Sequence, residues 1–243
     1  MRNRSEEKPH LNSLPISKLT AFGAITLVLV LISTYMSLVS APLEAIQGVH
    51  QKIFYIHVPL AFIAYASITV VFIASLLFLT KNDLKWDRIA RISAEIGILS
   101  TTIVLFSGSL WGRPVWGAWW SWSDARLVTT LVMWLIYMGY LMLRSLSRSN
   151  SQTAKIASII GVLGFINVPI TYFSVYLWTY LHPLPTLQSS TERPESSILV
   201  PFLLSFLAYS AVILVIGIVR TNLEKDFDQL EILKKQVEEK RWE

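Results

Sequence analysis

Residues 92–143 read ISAEIGILSTTIVLFSGSL, then WGRPVWGAWWSWSDAR, then LVTTLVMWLIYMGYLML. The first and third pieces are largely apolar, and each is close to the length of about 20 residues that crosses a bilayer as a helix. The middle piece, 111–126, holds five of the nine tryptophans of the chain. This arrangement predicts two membrane-spanning helices joined by a loop of flat aromatic rings.

The apolar pattern continues in both directions from this stretch. The chain of 243 residues is 53% hydrophobic and only 15% charged, whereas a soluble domain carries about 25% charged residues. The apolar residues fall into six blocks, at roughly 19–40, 53–79, 92–110, 127–143, 156–177 and 198–219. We therefore expect an all-α, polytopic membrane protein with six transmembrane helices. A polar N-terminal tail (1–18) and a charged C-terminal tail (221–243) flank this membrane domain (19–220).

The distribution of Lys and Arg predicts how the chain is oriented. Seventeen of these 21 residues fall in the two tails or in the loops after the second and fourth blocks. Because basic residues accumulate on the cytoplasmic side of a membrane protein, both termini are predicted to be cytoplasmic. Three loops, roughly 41–52, 111–126 and 178–197, are then predicted to lie outside. The net charge of +5 reflects this orientation signal rather than an affinity for nucleic acid.

Composition also excludes several kinds of chemistry. The chain has no cysteine, so it forms no disulfide, no thiolate metal site and no thioether link to a cofactor. It has no Gly-rich phosphate loop and no His-Glu-x-x-His motif. Nothing in the sequence therefore indicates ATP binding or metal-assisted hydrolysis.

The tryptophan loop has two interpretations. Indole rings concentrate at the lipid headgroups, so any one of them fits an interfacial belt. Five in one loop, with only Trp178 in the other two outer loops, favour a platform for a large planar ligand. Trp116, Trp119 and Trp120 have the spacing i, i+3, i+4, which gives one aromatic face if the loop is helical. Gly117 would let a ligand or a second backbone approach closely.

Two histidines fall at the other two predicted outer loops. His57 lies one turn into the second helix, and His182 follows the fifth; each is near a proline, Pro59 and Pro183, that helps to fix its segment. Taken singly, each fits an ordinary interfacial or loop histidine. As a pair they gain weight, because neutral imidazole is a common iron ligand and two imidazoles can hold one haem from opposite faces.

Charged residues follow the tryptophans at the start of the fourth helix. Ser123 or Asp124 is predicted to be the N-cap of that helix, which its dipole favours. Arg126 and Arg113 have the chemistry to pair with carboxylates such as haem propionates.

Polar residues within the spans have local explanations. Glu95 is four residues after Arg91, so a local ion pair is expected. Asn167 is expected to bond the carbonyl that Pro169 leaves free. The C-terminal tail has a narrow apolar stripe of helical spacing, which fits either a docking helix or a solvated one.

Three segments in the same order resemble one family, the haem exporter protein C (CcmC) family of cytochrome c maturation. These are Gln47-Gly48 through Ile53-Phe54-Tyr55-Ile56-His57-Val58-Pro59; Trp116-Gly117-Ala118-Trp119-Trp120-Ser121-Trp122 with Asp124-Ala125-Arg126-Leu127; and Asn167-Val168-Pro169-Ile170 with Ser174-Val175, Trp178 and Leu181-His182. The resemblance runs from about residue 20 to residue 220.

The resemblance implies a function and a site. Haem b would bind at the outer face of the bacterial inner membrane, with His57 and His182 as axial ligands. The remaining cofactor-binding residues would be Trp116, Gly117, Trp119, Trp120, Trp122, Asp124 and Arg126. The protein would present haem to a periplasmic haem chaperone, CcmE, with the ATP-driven components CcmA and CcmB as further partners. It would deliver haem rather than turn over a substrate.

The chain departs from the family pattern at one position. Ser123 separates Trp122 from Asp124, which are adjacent in that pattern. In a helix, one added residue rotates everything after it by about 100°. Either a bulge absorbs the residue, or Asp124 does not occupy the family's position.

Other functions remain open from the sequence. One is a membrane enzyme, either a haem lyase or a b-type redox subunit. A lyase would be expected to have more helices and a large outer domain, and a redox subunit to have histidines deep in the spans. The other is a haem transporter subunit whose tryptophans only contact lipid, although few polar residues line any span.

Overall fold

A computed structural model describes residues 16–146, 151–178, 182 and 196–241. These ranges contain seven α-helices. They are α1 (Ile16–Tyr35), α2 (Phe54–Lys81), α3 (Leu84–Trp116), α4 (Ala125–Leu146), α5 (Ser151–Gly164), α6 (Asn167–Leu177) and α7 (Ser196–Arg241). A π-helical turn, Met36–Ser40, extends α1, and a 3-10 turn, Val49–Ile53, precedes α2.

Six helical segments of the described chain are long and apolar enough to cross a membrane. They are Ser17–Ser40, Val49–Lys81, Leu84–Trp116, Ala125–Leu146, Ser151–Tyr176 and Ser196–Phe227. The predicted all-α architecture with six transmembrane helices is confirmed, and the chain is an integral membrane protein. The side on which the termini lie stays a prediction.

The fifth segment consists of two helices, because the chain leaves helical geometry at Phe165 and Ile166. The carbonyl of Phe165 accepts the N–H of Val168 at 2.9 Å. The side-chain amide of Asn167 instead donates to the backbone carbonyl of Thr129 on α4, at 2.8 Å. The expectation that Asn167 bonds the carbonyl freed by Pro169 is therefore wrong; its side chain ties α6 to α4.

The tight hairpin of α2 and α3 forms the centre of the bundle. Asn82 ends α2 in the left-handed conformation, and its N–H donates to the carbonyl of Phe78. Asp83 then caps α3 by accepting the N–H of Lys85. α4 and α5 pack on this hairpin around a buried core, which includes Ile68, Val71, Ala94, Ile98, Met133, Tyr137 and Ala157.

α1 and α7 pack together at the side of the bundle. Ser33 of α1 and Ser37 of the π-helical turn both contact Ser205 of α7, with Oγ–Oγ distances of 3.1 and 2.9 Å. Much of the remaining surface of α1 consists of exposed apolar side chains, such as Ile25, Leu27 and Leu31. This is the surface expected of a helix that faces lipid.

Buried ion pairs join the helices at one end of the bundle, which we call the ion-pair end. Arg144 donates to Asp87 at 2.6 Å. Arg91 pairs with Glu224. Arg220 donates two hydrogen bonds of 2.6 Å to the carboxylate of Glu95. The expected pair between Glu95 and Arg91 is therefore wrong, because each of these α3 residues has its partner on α7.

The charged C-terminal tail continues the last helix. α7 runs without interruption to Arg241, across residue 220. Glu224 is only 2% exposed, so packing against α3 extends into the tail. The exposed surface of the same helix carries the apolar residues Leu223, Leu230 and Val237.

Candidate functional site

The three loops predicted to share one membrane face meet at the end of the bundle opposite the ion pairs, which we call the histidine end. Trp111, in the last turns of α3, donates its indole N–H to Gln47 Oε1 at 2.8 Å. The backbone N–H of His182 donates to Asp124 Oδ2 at 3.1 Å. These two bonds join the loop before α2 to α3, and the segment after α6 to the tryptophan loop.

His57 lies in the first turn of α2, packed against α3. Its Nδ1 is 3.0 Å from Ser107 Oγ. The edge of its ring contacts Trp111, with centroids 5.8 Å apart and planes at 75°. A Cβ added at Gly108 would lie 3.0 Å from His57 Cε1. Only glycine lets the backbone of α3 come this close to the imidazole without displacing it.

His182 lies against the tryptophan loop; its neighbours Leu181 and Pro183 are outside the described residues. Its ring centroid is 5.4 Å from that of Trp116. Its Nδ1 is 3.8 Å from Asp124 Oδ2 and makes no hydrogen bond to any described residue. Burial, aided by the positive charge of Arg126 and opposed by Asp124, lowers the pKa of His182 to about 4. The imidazole is therefore neutral at neutral pH, as a metal ligand must be.

The tryptophan loop is not helical. α3 ends at Trp116, and Gly117 adopts φ +77°, so Trp116, Trp119 and Trp120 do not form the helical face that their spacing allows. They instead line a small cavity with Gly108, Ala118, Ser121 and Leu127. Trp119 and Trp122 are 57% and 74% exposed. The indole N–H of Trp120 is buried without a partner among the described residues.

The two histidines lie against residues that line one cavity. Gly108 lies next to the ring of His57, the ring of Trp116 contacts that of His182, and Gly108 and Trp116 both line the cavity that the tryptophan loop forms. Each imidazole therefore packs behind one residue of the cavity wall.

Asp124 has two structural partners. Its Oδ1 accepts the N–H of Leu127 at 3.1 Å, so it is the N-cap of α4 as predicted. Its Oδ2 holds the backbone of His182. Asp124 is 2% exposed, and its own N–H closes a turn on the carbonyl of Ser121 at 3.3 Å. Because Ser123 lies in this turn and not in a helix, the extra residue causes no helical rotation.

The family model for heme exporter protein C matches residues 7–240 of the chain. The chain belongs to the heme exporter protein C family. A Bradyrhizobium diazoefficiens protein of that name is 37% identical over 189 residues, which cover 77% of this chain and 71% of the relative. A Haemophilus influenzae protein of that name is 33% identical over 209 residues, or 84% of this chain and 82% of the relative.

A plant protein is similar over a comparable length. The putative cytochrome c biosynthesis ccmC-like mitochondrial protein of Arabidopsis thaliana is 32% identical over 197 residues, which cover 81% of this chain and 74% of the relative. Membership of the heme exporter protein C family places the chain among membrane proteins that handle haem in cytochrome c biogenesis.

Sequence reasoning missed several positions that shape this family member's site. Gly117 was expected to let a ligand or a second backbone approach closely; no described backbone lies within 4 Å of the position of its missing Cβ, and the approach of a ligand stays a prediction. Its positive φ is what requires glycine. The close approach is at Gly112, where a Cβ would lie 3.1 Å from both Ala118 O and the Trp116 ring. Periodicity marks Gly108, Gly112 and Ser107 only as ordinary residues of an apolar helix.

The donor set in this heme exporter protein C family member suits a metal that arrives with its own ligand. The described residues contain no group of three or more His, Asp or Glu side chains that could hold a bare metal ion. Imidazole nitrogens are a kind of donor that binds iron in a planar macrocycle. The cavity that the tryptophans line is too shallow to hold even a water-sized sphere below its rim, so a planar ligand would lie across its mouth.

Arg126 supplies the positive charge at this site. Its Nη2 donates to the carbonyl of Tyr172 on α6, at 2.8 Å. Its Nε is buried and has no hydrogen-bond partner among the described residues. Arg113 is exposed and donates to the carbonyl of Gly117. Of the two arginines, Arg126 therefore has the buried capacity to meet an anionic group.

Proposed function

We propose that this protein binds haem b at the histidine end, with His57 and His182 as axial ligands, and presents it to the periplasmic haem chaperone CcmE. The observation that carries the proposal is that each imidazole packs against a residue that lines one tryptophan-lined cavity. Membership of the heme exporter protein C family supports haem as the ligand.

The unsatisfied groups around the cavity support the fit to haem. The free Nδ1 of His182 and the Nε of Arg126 are buried polar atoms without described partners. Such atoms are costly unless a ligand satisfies them. Iron would take an imidazole nitrogen, and a propionate would take the guanidinium.

The exposure of the site fits delivery better than storage. Trp119 and Trp122 present more than half of their surface to the surroundings. A planar ligand resting on them would have one face shielded by indole and one edge open to a partner. We therefore propose a delivery and scaffold role, not turnover, in the bacterial inner membrane beside CcmA and CcmB. The histidine end would face the periplasm, as the charge distribution predicts.

Haem binding is tested on protein purified in detergent after growth with ample haem. We expect a haem Soret band in the wild type and its loss in His57→Ala and His182→Ala. His50→Ala is the matched control, because His50 lies in the loop before α2 but is exposed. A wild type without haem, or equal haem content in all four proteins, would refute the proposal.

Presentation is tested by mixing the haem-loaded protein with purified CcmE and following haem transfer to the chaperone. Transfer from the wild type, with none from His182→Ala, is the expected result. Direct ligation of haem to an apocytochrome by this protein alone would instead identify a haem lyase. Normal delivery after joint replacement of Trp116, Trp119 and Trp120 by Leu would favour a transporter subunit with a lipid-contacting belt.

A further inference from the structure

Ser107 makes a side-chain polar contact to the imidazole of His57, which also hydrogen-bonds to the backbone carbonyl of Val104. Its Oγ lies 3.0 Å from His57 Nδ1. Ser107 is 7% exposed, so water competes little for this contact. No feature of the sequence distinguishes Ser107 from the other serines of α3, and it lies outside the motifs that carry the family resemblance.

The hydroxyl proton of Ser107 is already engaged by the helix. Ser107 Oγ donates to the carbonyl of Ile103 at 2.6 Å, with the carbonyl of Val104 further away at 3.3 Å. A serine has one hydroxyl proton and two acceptor lone pairs. Toward His57, therefore, Ser107 Oγ acts as an acceptor, and the proton between the two residues belongs to His57 Nδ1.

This assignment fixes the tautomer of the neutral imidazole. A neutral imidazole carries one N–H, so a proton on Nδ1 leaves the lone pair on Nε2. The ring cannot turn freely to exchange the two nitrogens, because the edge contact with Trp111 and the backbone at Gly108 confine it. Gly108 also borders the tryptophan-lined cavity, so the imidazole is held beside the space that the ligand would occupy.

We infer that Ser107 is a positioning residue that holds His57 as the Nδ1–H tautomer and so keeps Nε2 available to haem iron. This inference rests on the proposed function and adds a residue to its site. Hydrogen bonds to the second nitrogen of a ligating histidine orient the ring and raise its basicity, and their loss weakens metal binding by about 10- to 100-fold.

The decisive comparison uses two replacements of nearly equal shape at position 107. Ser107→Thr keeps a hydroxyl that bonds the carbonyl four residues earlier, whereas Ser107→Val has no hydroxyl. We expect haem affinity near wild type for Thr and about 10- to 100-fold weaker for Val. Ser109→Ala is the matched control, because Ser109 also bonds a carbonyl of α3, that of Leu105 at 3.0 Å. It should leave haem binding unchanged.

Ser107→Ala covers the case in which the added methyl group of Thr is not tolerated. We expect Ala to weaken haem binding in the same range as Val and to make the midpoint potential of the bound haem more positive, because a less basic imidazole stabilises ferric iron less. In a His57→Ala background, the residual haem binding seen on titration should be the same with and without Ser107→Ala, since Ser107 acts through His57.

Failure of this inference differs from failure of the proposed function. Wild-type haem affinity and potential in both Ser107→Ala and Ser107→Val, with haem still lost in His57→Ala, would overturn the role of Ser107 alone. A further loss in the His57→Ala background would also overturn it, because that loss would come from the fold. Haem retained by His57→Ala would overturn the ligand assignment itself.

Discussion

The two ends of the bundle treat their charged groups in opposite ways. At the ion-pair end, every charged side chain of the network has an oppositely charged partner on another helix. At the histidine end, Arg126 has no carboxylate partner among the described residues and donates to the backbone carbonyl of Tyr172. The ion pairs therefore stabilise the packing of the helices at one end, whereas at the other end the guanidinium of Arg126 can still pair with an anionic group of a ligand.

This difference predicts the largest stability effect at the ion-pair end. Asp87→Ala leaves the guanidinium of Arg144 without its carboxylate, although Arg144 is 1% exposed. Removing one partner of a buried ion pair costs about 3–5 kcal/mol. We expect a much lower unfolding temperature in detergent but an unchanged haem-to-protein ratio in the folded fraction.

The control at this end removes both charges at once. Asp87→Leu with Arg144→Met should recover much of the lost stability, because no buried charge is left alone. A loss of haem from folded Asp87→Ala protein would show that the ion-pair end contributes to haem binding as well as to stability.

Asp124 is the position at which the histidine end also has a structural role, so it sharpens the comparison. Asp124→Ser keeps an N-cap for α4 but is too short to hold the backbone of His182. Asp124→Ala loses both contacts, and the cap alone is worth about 1 kcal/mol. We expect about tenfold weaker haem binding in both variants and a lower unfolding temperature only in Ala.

Titration of each purified variant with haem, beside a thermal unfolding curve, separates these two effects. Full haem affinity in Asp124→Ser would show that the bond to His182 does not position that histidine. Equal unfolding temperatures for Ser and Ala would show that the cap contributes little.

A smaller effect is expected from adding one methyl group beside His57. In Gly108→Ala the new Cβ lies 3.0 Å from His57 Cε1, so the imidazole has to shift by a few tenths of an ångström. We expect an altered Soret maximum and a few-fold weaker haem binding. The free energy of unfolding should change little, because the higher helix propensity of alanine, about 1 kcal/mol over glycine, offsets the cost of the close contact with His57.

Gly97→Ala is the matched control on the same helix. There the new Cβ meets the flexible end of Ile68, with a distance of 2.8 Å to Cδ1, far from either histidine. Its haem spectrum should equal that of the wild type. A spectrum of Gly108→Ala that also equals the wild type would show that the ring of His57 is not confined by α3.

Hydropathy predicted the six membrane-spanning segments because bilayer thickness imposes a length on apolar blocks. The cap at Asp124 was predictable for a similar reason, since short polar side chains satisfy the free N–H groups at a helix start. Both are local consequences of the chain. Partners distant in sequence were not predictable in this way: Glu95 pairs with Arg220, 125 residues away, and not with Arg91 one turn earlier.

The geometry of the candidate site shows the same limit. The spacing of Trp116, Trp119 and Trp120 allowed a helical face, but α3 ends at Trp116, four residues before Trp120. Ser107 and Gly108 matter only because α2 places His57 against them. A single sequence without that packing marks them as two small residues of an apolar helix.

A pH dependence carried by His182 also separates the two ends, and its effect on stability is small just below neutral pH. Its pKa is about 4 in the folded protein and about 6.5 in an unfolded chain. Between these values the unfolded chain binds the proton and the folded protein does not, so the free energy of unfolding falls as pH drops from 6.5 toward 4 and is unaffected by this group above 6.5. In haem-free protein, His182→Gln should lose less stability than the wild type over that range, as measured by thermal unfolding at each pH. Identical pH profiles for the two proteins would mean that the fold does not hold His182 in its neutral form. The difference between the ion-pair end and the histidine end would then rest on Arg126 and the tryptophans alone.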